Sequence, residues 1–258
     1  MAVSVADSTY IPSTTMCSEA DNVEVRQPLQ NRWSLWYLKV DRNKDWEDCI
    51  KMITTFDTVE DFWSLYDHIQ SAGGLKLGSG YYLFKEGIKP MWEDVNNVQG
   101  GRWYINGSLH TKSAKHSRQD KQKKAELIDH YWLEMLLAVV GEQFDGCGEY
   151  ICGAVVSVRA KGNKSKVSLW TRDATLDDIN LRIGLVLKEK LGIPDSQPLK
   201  YEAHKDSSTA TSSSIKPIIV IPLSKKESKS EKTEKSEKSD ERTPPTPTST
   251  PLKANDAF

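Results

Sequence analysis

The sequence predicts an α+β fold: a single antiparallel sheet with three helices packed on one face, between disordered N- and C-terminal tails. Three observations carry this expectation. Segments rich in aromatic and β-branched residues alternate with segments whose apolar residues recur at helical spacing. The strand-like segments read mostly as neighbours in hairpins, most clearly where Lys161-Gly-Asn-Lys164 turns between two apolar runs. Residues 1–26 are Ser/Thr-rich without periodicity, and 223–258 pass from Lys/Glu/Ser repeats into Thr-Pro-Pro-Thr, compositions that cannot bury a core. The folded domain is therefore expected over 27–222.

The first strand is read over 31–40, in Arg-Trp-Ser-Leu-Trp-Tyr-Leu-Lys-Val. Thr58-x-x-Asp61 is a variant capping box, and Phe62, Leu65, Tyr66 and Ile69 follow at helical spacing, giving a first helix that stops by Gly73-Gly74. Tyr81–Phe84 and Gly101–Ile105 read as short strands flanking a loop at Ile88–Asp94. Between 106 and 119 lies a polar, basic insertion with Lys112, Lys115, His116 and Arg118. A second helix runs from 120 to 140, with Leu127, Ile128, Tyr131, Met135 and Val139 on one face and Gly141 past its end. Cys152–Ala160 and Lys166–Trp170 form a hairpin; Thr175 is expected to cap a third helix through Asp178, with Ile179, Ile183, Val186 and Leu187 inward. A last strand is placed at Lys216–Ile221.

The net charge of −1 over 258 residues announces no global basic field, so a nucleic-acid site has to be local. Cys17, Cys49, Cys147 and Cys152 lack a zinc-ligand spacing, and no cofactor motif is visible; a reduced, cytoplasmic protein is expected. Catalytic readings fail for want of parts: Gly78-Ser-Gly80 is too short for a phosphate loop, and no nucleophile elbow or His-Glu-x-x-His is present. The expectation is a binding protein, not an enzyme.

The stretch that carries most chemistry is Pro90-Met-Trp-Glu-Asp94. Pro90 disfavours helix before it, and in a loop the indole of Trp92 and the carboxylate of Glu93 can converge on one flat ligand. The indole offers a stacking face, and the carboxylate accepts a pair of N–H donors such as guanine N1–H and N2–H2. A guanine methylated at N7 is cationic and gains a cation–π term on the indole. The competing assignment is a core tryptophan beside a solvated charge. Arg159 and Lys161 share strand parity, and with Lys164 they cluster at one turn; Arg102 is a further candidate cation for phosphates, against the plain alternative of charged surface turns. Trp63, beside Phe62 and Tyr66, is either a core-margin aromatic or an exposed anchor for a partner helix.

Several long motifs in one order then match a family. Asn31-Arg-Trp-Ser-Leu-Trp-Tyr-Leu, Phe56-Asp-Thr-Val-Glu-Asp-Phe-Trp63, Pro90-Met-Trp-Glu-Asp94, Gly100-Gly-Arg-Trp103, Trp132-Leu-Glu-Met-Leu-Leu137 and Cys152–Lys161 resemble the eukaryotic translation initiation factor 4E family, the mRNA cap-binding proteins, over about 28–220. The resemblance implies a curved sheet with three helices on its convex back. It would put 7-methylguanine between Trp46 and Trp92, with Glu93 on the base, Trp170 near the N7-methyl, and Arg102, Arg159 and Lys164 on the triphosphate. On the back it implies a site for a Tyr-x-x-x-x-Leu-hydrophobic motif, built from Pro28, Val59, Trp63, Glu134, Leu137 and Gly141. The implied partners are capped mRNA, initiation factor 4G and 4E-binding proteins, and the implied role is cap-dependent initiation; a repressor of the same fold that recruits no scaffold is the alternative. Ser213 or Ser214 matches the family's phosphorylated serine. The chain departs from the family at Gln27, where His precedes Pro-Leu, at Ser157, where Asn is common, and in its basic insertion and long tail.

Overall fold

The structure, a computed structural model, describes residues 26–41, 43–107, 118–158, 165–205 and 217–221. Eight strands form one curved antiparallel sheet: β1 (Pro28–Lys39), β2 (Ile50–Thr58), β3 (Ser79–Lys85), β4 (Gly101–Asn106), β5 (Ile151–Ser157), β6 (Lys166–Thr171), β7 (Leu199–Ala203) and β8 (Ile219–Ile221). The helices are α1 (Trp46–Cys49), α2 (Val59–His68), α3 (Arg118–Val140) and α4 (Asp177–Lys190). The expected tails, most of the basic insertion, and the residues Arg159, Lys161, Lys164, Ser213 and Ser214 lie outside the described residues.

Strand order across the sheet is β2-β1-β3-β5-β6-β4-β7-β8. The expected hairpin holds for β5–β6, and β1–β2 and β7–β8 also pair as sequence neighbours, but β3 lies between β1 and β5, and β4 between β6 and β7. The connection from β3 to β4 must therefore span β5 and β6. That connection carries Trp92.

Alternation along the strands gives the sheet two apolar faces. Trp33, Leu35, Tyr81, Leu83, Trp103, Ile105, Val167, Leu169 and Tyr201 join Phe62 of α2, Trp132, Met135 and Leu136 of α3, and Ile183 and Leu187 of α4 in the main core. The opposite face carries a smaller cluster, Leu38, Tyr82, Phe84, Cys152, Val155 and Trp170, covered by Cys49 of α1 and by Ile88 and Met91 of the β3–β4 connection. A bulge in β5, between the pairs Ile151–Thr171 and Gly153–Trp170, lets Cys152 and Val155, three residues apart, both face this second cluster. We call it the open face.

Three details correct the sequence expectations. Beyond the three long helices, the one-turn α1 covers the open face, and β2 and β7 are strands that periodicity did not mark. β2 is an edge strand whose Met52 and Ile53 stay exposed, and β7 is only Leu-Lys-Tyr-Glu-Ala. Thr58 does cap α2, accepting the Asp61 amide at 3.2 Å. Thr175 does not cap α4: its amide and hydroxyl both donate to the Asp173 carboxylate, at 2.8 and 2.7 Å, and the helix starts behind Leu176 without a side-chain cap.

Gly184 of α4 lies against Trp103 of β4, where a Cβ would stand 2.3 Å from the indole; that indole Nε1 donates to the Asn180 carbonyl at 3.0 Å. Gly184→Ala is therefore expected to destabilise the fold by about 1–3 kcal/mol through overpacking. A lower urea midpoint at unchanged m-value is the expected reading; an unchanged midpoint would mean that α4 can ride off the sheet without cost.

Candidate functional site

Two exposed indoles stand over the open face. Trp46 opens α1 at 40 % exposure and meets Tyr82 edge-on, with ring centroids 6.4 Å apart. Trp92 is 47 % exposed, next to Met91, which packs on the same cluster as Tyr82. Both supports are thus anchored in one apolar patch while the rings themselves remain uncovered. Large aromatics are left this open in a fold that buries Trp33, Trp103 and Trp132 completely, and each exposed indole offers a stacking face. Glu93 follows Trp92 at the surface, and among the described residues nothing occupies its carboxylate.

The loop that presents Trp92 and Glu93 is pinned from within. Gly87, at φ +84°, takes the left-handed position of the turn closed by Ile88 N–H to the Lys85 carbonyl at 3.0 Å. The Asp94 carboxylate accepts the amides of Lys89 at 3.0 Å and Asn96 at 2.9 Å. Asn97, fully buried, donates through Nδ2 to the carbonyls of Lys89 at 2.9 Å and Met91 at 2.7 Å. Underneath, the Cys152 thiol donates to the Asn96 carbonyl at 3.3 Å; burial pushes that thiol up to about 11, so it remains a donor.

Trp170 forms part of the floor. It is 7 % exposed, edge-on to Phe84 at 5.3 Å and against the His204 ring at 4.1 Å, and its Nε1 has no partner among the described residues. Burial, aided by Arg102, brings the His204 pKa down to about 3, so this imidazole is neutral at physiological pH. Arg102 is cross-strand from both Trp170 and Glu202. Its Nε donates to Glu202 Oε1 at 2.7 Å, and its terminal N–H groups complete an ion pair with that carboxylate, which is itself buried. The cation expected on phosphates is thus already paired.

Strand parity supplies a cation that the sequence reading passed over in favour of Lys164. Val167 and Leu169 point into the main core, so Lys166 and Ser168 share the face of Trp170. Lys166 Nζ lies 4.3 Å from the Tyr104 ring centroid, on that same face. Glu202 and Asn97 were also missed. The alternation of Leu199-Lys-Tyr-Glu sets Glu202 on the face opposite Leu199 and Tyr201 but does not reveal its neighbour, and nothing in the sequence marks Asn97 as a loop brace.

The second group lies on the helix-covered face. Trp63 is 39 % exposed and packs on Phe62 at 5.1 Å and Tyr66 at 6.0 Å; Val59 and Pro28 are exposed, and Pro28 pairs with Thr58 in the β1–β2 register. Leu65 of α2, Ile69 just past its end, and Trp132 and Leu136 of α3 line one apolar space. Glu134 and Leu137 are half-buried on α3, which Gly141 ends by donating to the Leu137 carbonyl at 2.9 Å. Gln27 joins this region through its main chain: its amide donates to the Glu60 carboxylate at 3.0 Å, and its carbonyl accepts the Val59 amide at 2.9 Å. Its departure from the family's His therefore leaves this backbone anchor in place.

The comparisons agree with this architecture. A sheet with an aromatic recognition face and a helical back defines a binding protein, and the family model for Eukaryotic initiation factor 4E matches residues 28–218. The chain belongs to the eukaryotic initiation factor 4E family. It is similar to Eukaryotic translation initiation factor 4E-3 of Caenorhabditis elegans, with 62 % identity over 227 residues, 86 % of each chain. A solved complex of the C. elegans factor 4E-3 with the 4E-binding protein Mextli and a cap analog superposes with a TM-score of 0.65 at 65 % identity, covering 76 % of this chain and all of that one. The Ascaris suum factor 4E-3 with m2,2,7G cap gives 0.67 at 62 % identity, covering 77 % of this chain and all of that one.

Asn97 provides a test of how the Trp92 loop is held. Asn97→Ala removes both carbonyl bonds from a buried position and should cost about 1–3 kcal/mol. Amide hydrogen exchange is expected to accelerate across Lys89–Val98 more than in the core strands. Unchanged exchange in that segment would show that Asp94 alone suffices.

Proposed function

We propose that this chain binds the 7-methylguanosine 5′ cap of mRNA on its open face and recruits the scaffold factor 4G through its helix-covered face, as an initiation factor for cap-dependent translation. The observation that carries this reading is the pair of exposed indoles, Trp46 and Trp92, with the Glu93 carboxylate following Trp92 in the chain. The relatives' complexes, one with Mextli and a cap analog, support it from outside the chain.

In this reading the methylated base enters between the indoles, and each platform contributes roughly 1–3 kcal/mol of stacking. Glu93 accepts the guanine N1–H and one N2–H, which adenine cannot supply in that arrangement. Trp170 lies at the N7-methyl side. Arg159 and Lys164, by family resemblance, and Lys166, by its place on the open face, meet the phosphates. The chemistry is recognition without turnover. On the other face, Trp63 with Val59, Pro28, Glu134, Leu137 and Gly141 receives an amphipathic Tyr-x-x-x-x-Leu-hydrophobic helix, as carried by 4G and by 4E-binding proteins.

Two faces separated by a rigid sheet imply separable losses. Glu93→Ala should weaken cap binding by about 2 kcal/mol or more while leaving peptide binding intact. Trp63→Ala should weaken the peptide by about 2 kcal/mol or more and stay on cap resin. Both activities are measured on each folded variant, with near-ultraviolet circular dichroism as the control. Joint loss of both activities in either variant would contradict the two-site reading. Cap retention by a wild type with no peptide affinity would replace the initiator by a repressor.

A further inference from the structure

Glu202 is the only carboxylate that the fold buries among the described residues. It sits on β7, cross-strand from Arg102, on the face that carries Trp170. Its Oε1 accepts Arg102 Nε at 2.7 Å and a terminal guanidinium N–H, and burial, aided by its charge, raises the Tyr104 phenol above its ordinary pKa. The Arg102 side chain keeps 23 % of its surface open. His204, also beside Arg102, is neutral at physiological pH and cannot balance either charge.

A cation meant only to attract phosphates gains nothing from a buried counter-charge, because the pair presents donors without net charge to an approaching anion. Resting on the cap-binding reading, we propose that Glu202 is a specificity-determining residue: it fixes the Arg102 guanidinium and cancels its charge, and so limits how strongly affinity grows with the number of cap phosphates. Arg102 then serves as an oriented donor with two of its N–H groups already committed. Net attraction for the phosphate chain falls to the other cations of the site.

The test uses the full chain with 7-methylguanosine mono-, di- and triphosphate over a range of salt. In wild type the Arg102–Glu202 pair adds nothing to the salt dependence. Glu202→Gln keeps the side-chain shape and one acceptor oxygen but releases the arginine charge. Its log–log salt slope for the triphosphate should steepen by up to about 0.7, the single-strand increment for one phosphate cation, and the affinity gain from mono- to triphosphate should widen. The double variant Arg102→Gln/Glu202→Gln removes both charges and should return to the wild-type slope, a readout that stands even where the single variant folds poorly.

A folded Glu202→Gln with wild-type slope and wild-type phosphate increments overturns the proposal. So does a double variant whose slope is shallower than wild type, because Arg102 would then act as a full charge in the native site. Equal weakening of all three nucleotides, without a change of slope, would make Glu202 a structural support only and equally overturn it. If wild type binds none of the three nucleotides, the cap-binding reading fails first, and this one with it.

Discussion

The constraint on which the site depends is the burial of the sheet's second apolar face. Three long helices cover one side, but Leu38, Tyr82, Phe84, Val155 and Trp170 face the other. Leaving such side chains in water costs about 1.5–3 kcal/mol each. Among the described residues, α1 and the β3–β4 connection provide most of their cover, with His204 against Trp170. Seating Cys49, Ile88 and Met91 on this patch also sets the backbone positions of Trp46 and Trp92. The two exposed indoles thus sit on a one-turn helix and on a loop, both anchored by apolar burial.

Topology explains why one of those loops is long and still ordered. Because β5 and β6 lie between β3 and β4, residues 86–100 must cross two strands rather than turn tightly. A crossing segment buries backbone that needs partners. Asp94 and Asn97 supply them from the side-chain side, and the protonated Cys152 thiol takes one carbonyl from below. The same segment therefore solves a folding requirement and presents an indole beside a carboxylate. On the far side of the sheet, Trp63 is held by Phe62 and Tyr66 at the main core, and among the described residues the two apolar clusters share no side chain.

Much of this was legible in the sequence, and the parts that were not have physical reasons. The capping oxygen of Thr58 and the periodic Phe62, Leu65, Tyr66 and Ile69 gave α2, while the exposure of Trp63 stayed open between a core margin and a partner anchor. A capping pattern misled at Thr175, because Asp173, two residues upstream, competes for the same hydroxyl and amide. α1 is one turn long and has no periodicity to read, so only family resemblance pointed to Trp46. Whether Arg102 is free or paired depends on β7 lying beside β4, a long-range pairing that local pattern cannot show. Lys166 was within reach, since Val167 and Leu169 fix its face, but the nearby turn drew attention to Lys164 instead.

The central claim is that two indoles anchored on the open face select a cationic base. The most direct measurement is titration of the wild-type chain with 7-methyl-GTP and with GTP, followed by tryptophan fluorescence at one ionic strength. The two ligands share the same phosphates and the same guanine N1–H and N2–H2 groups, so the difference reports the charge on the stacked ring. A desolvated cation–π contribution of about 2 kcal/mol predicts that the methylated nucleotide binds more than about tenfold more tightly. Equal affinities for the two nucleotides would contradict the account.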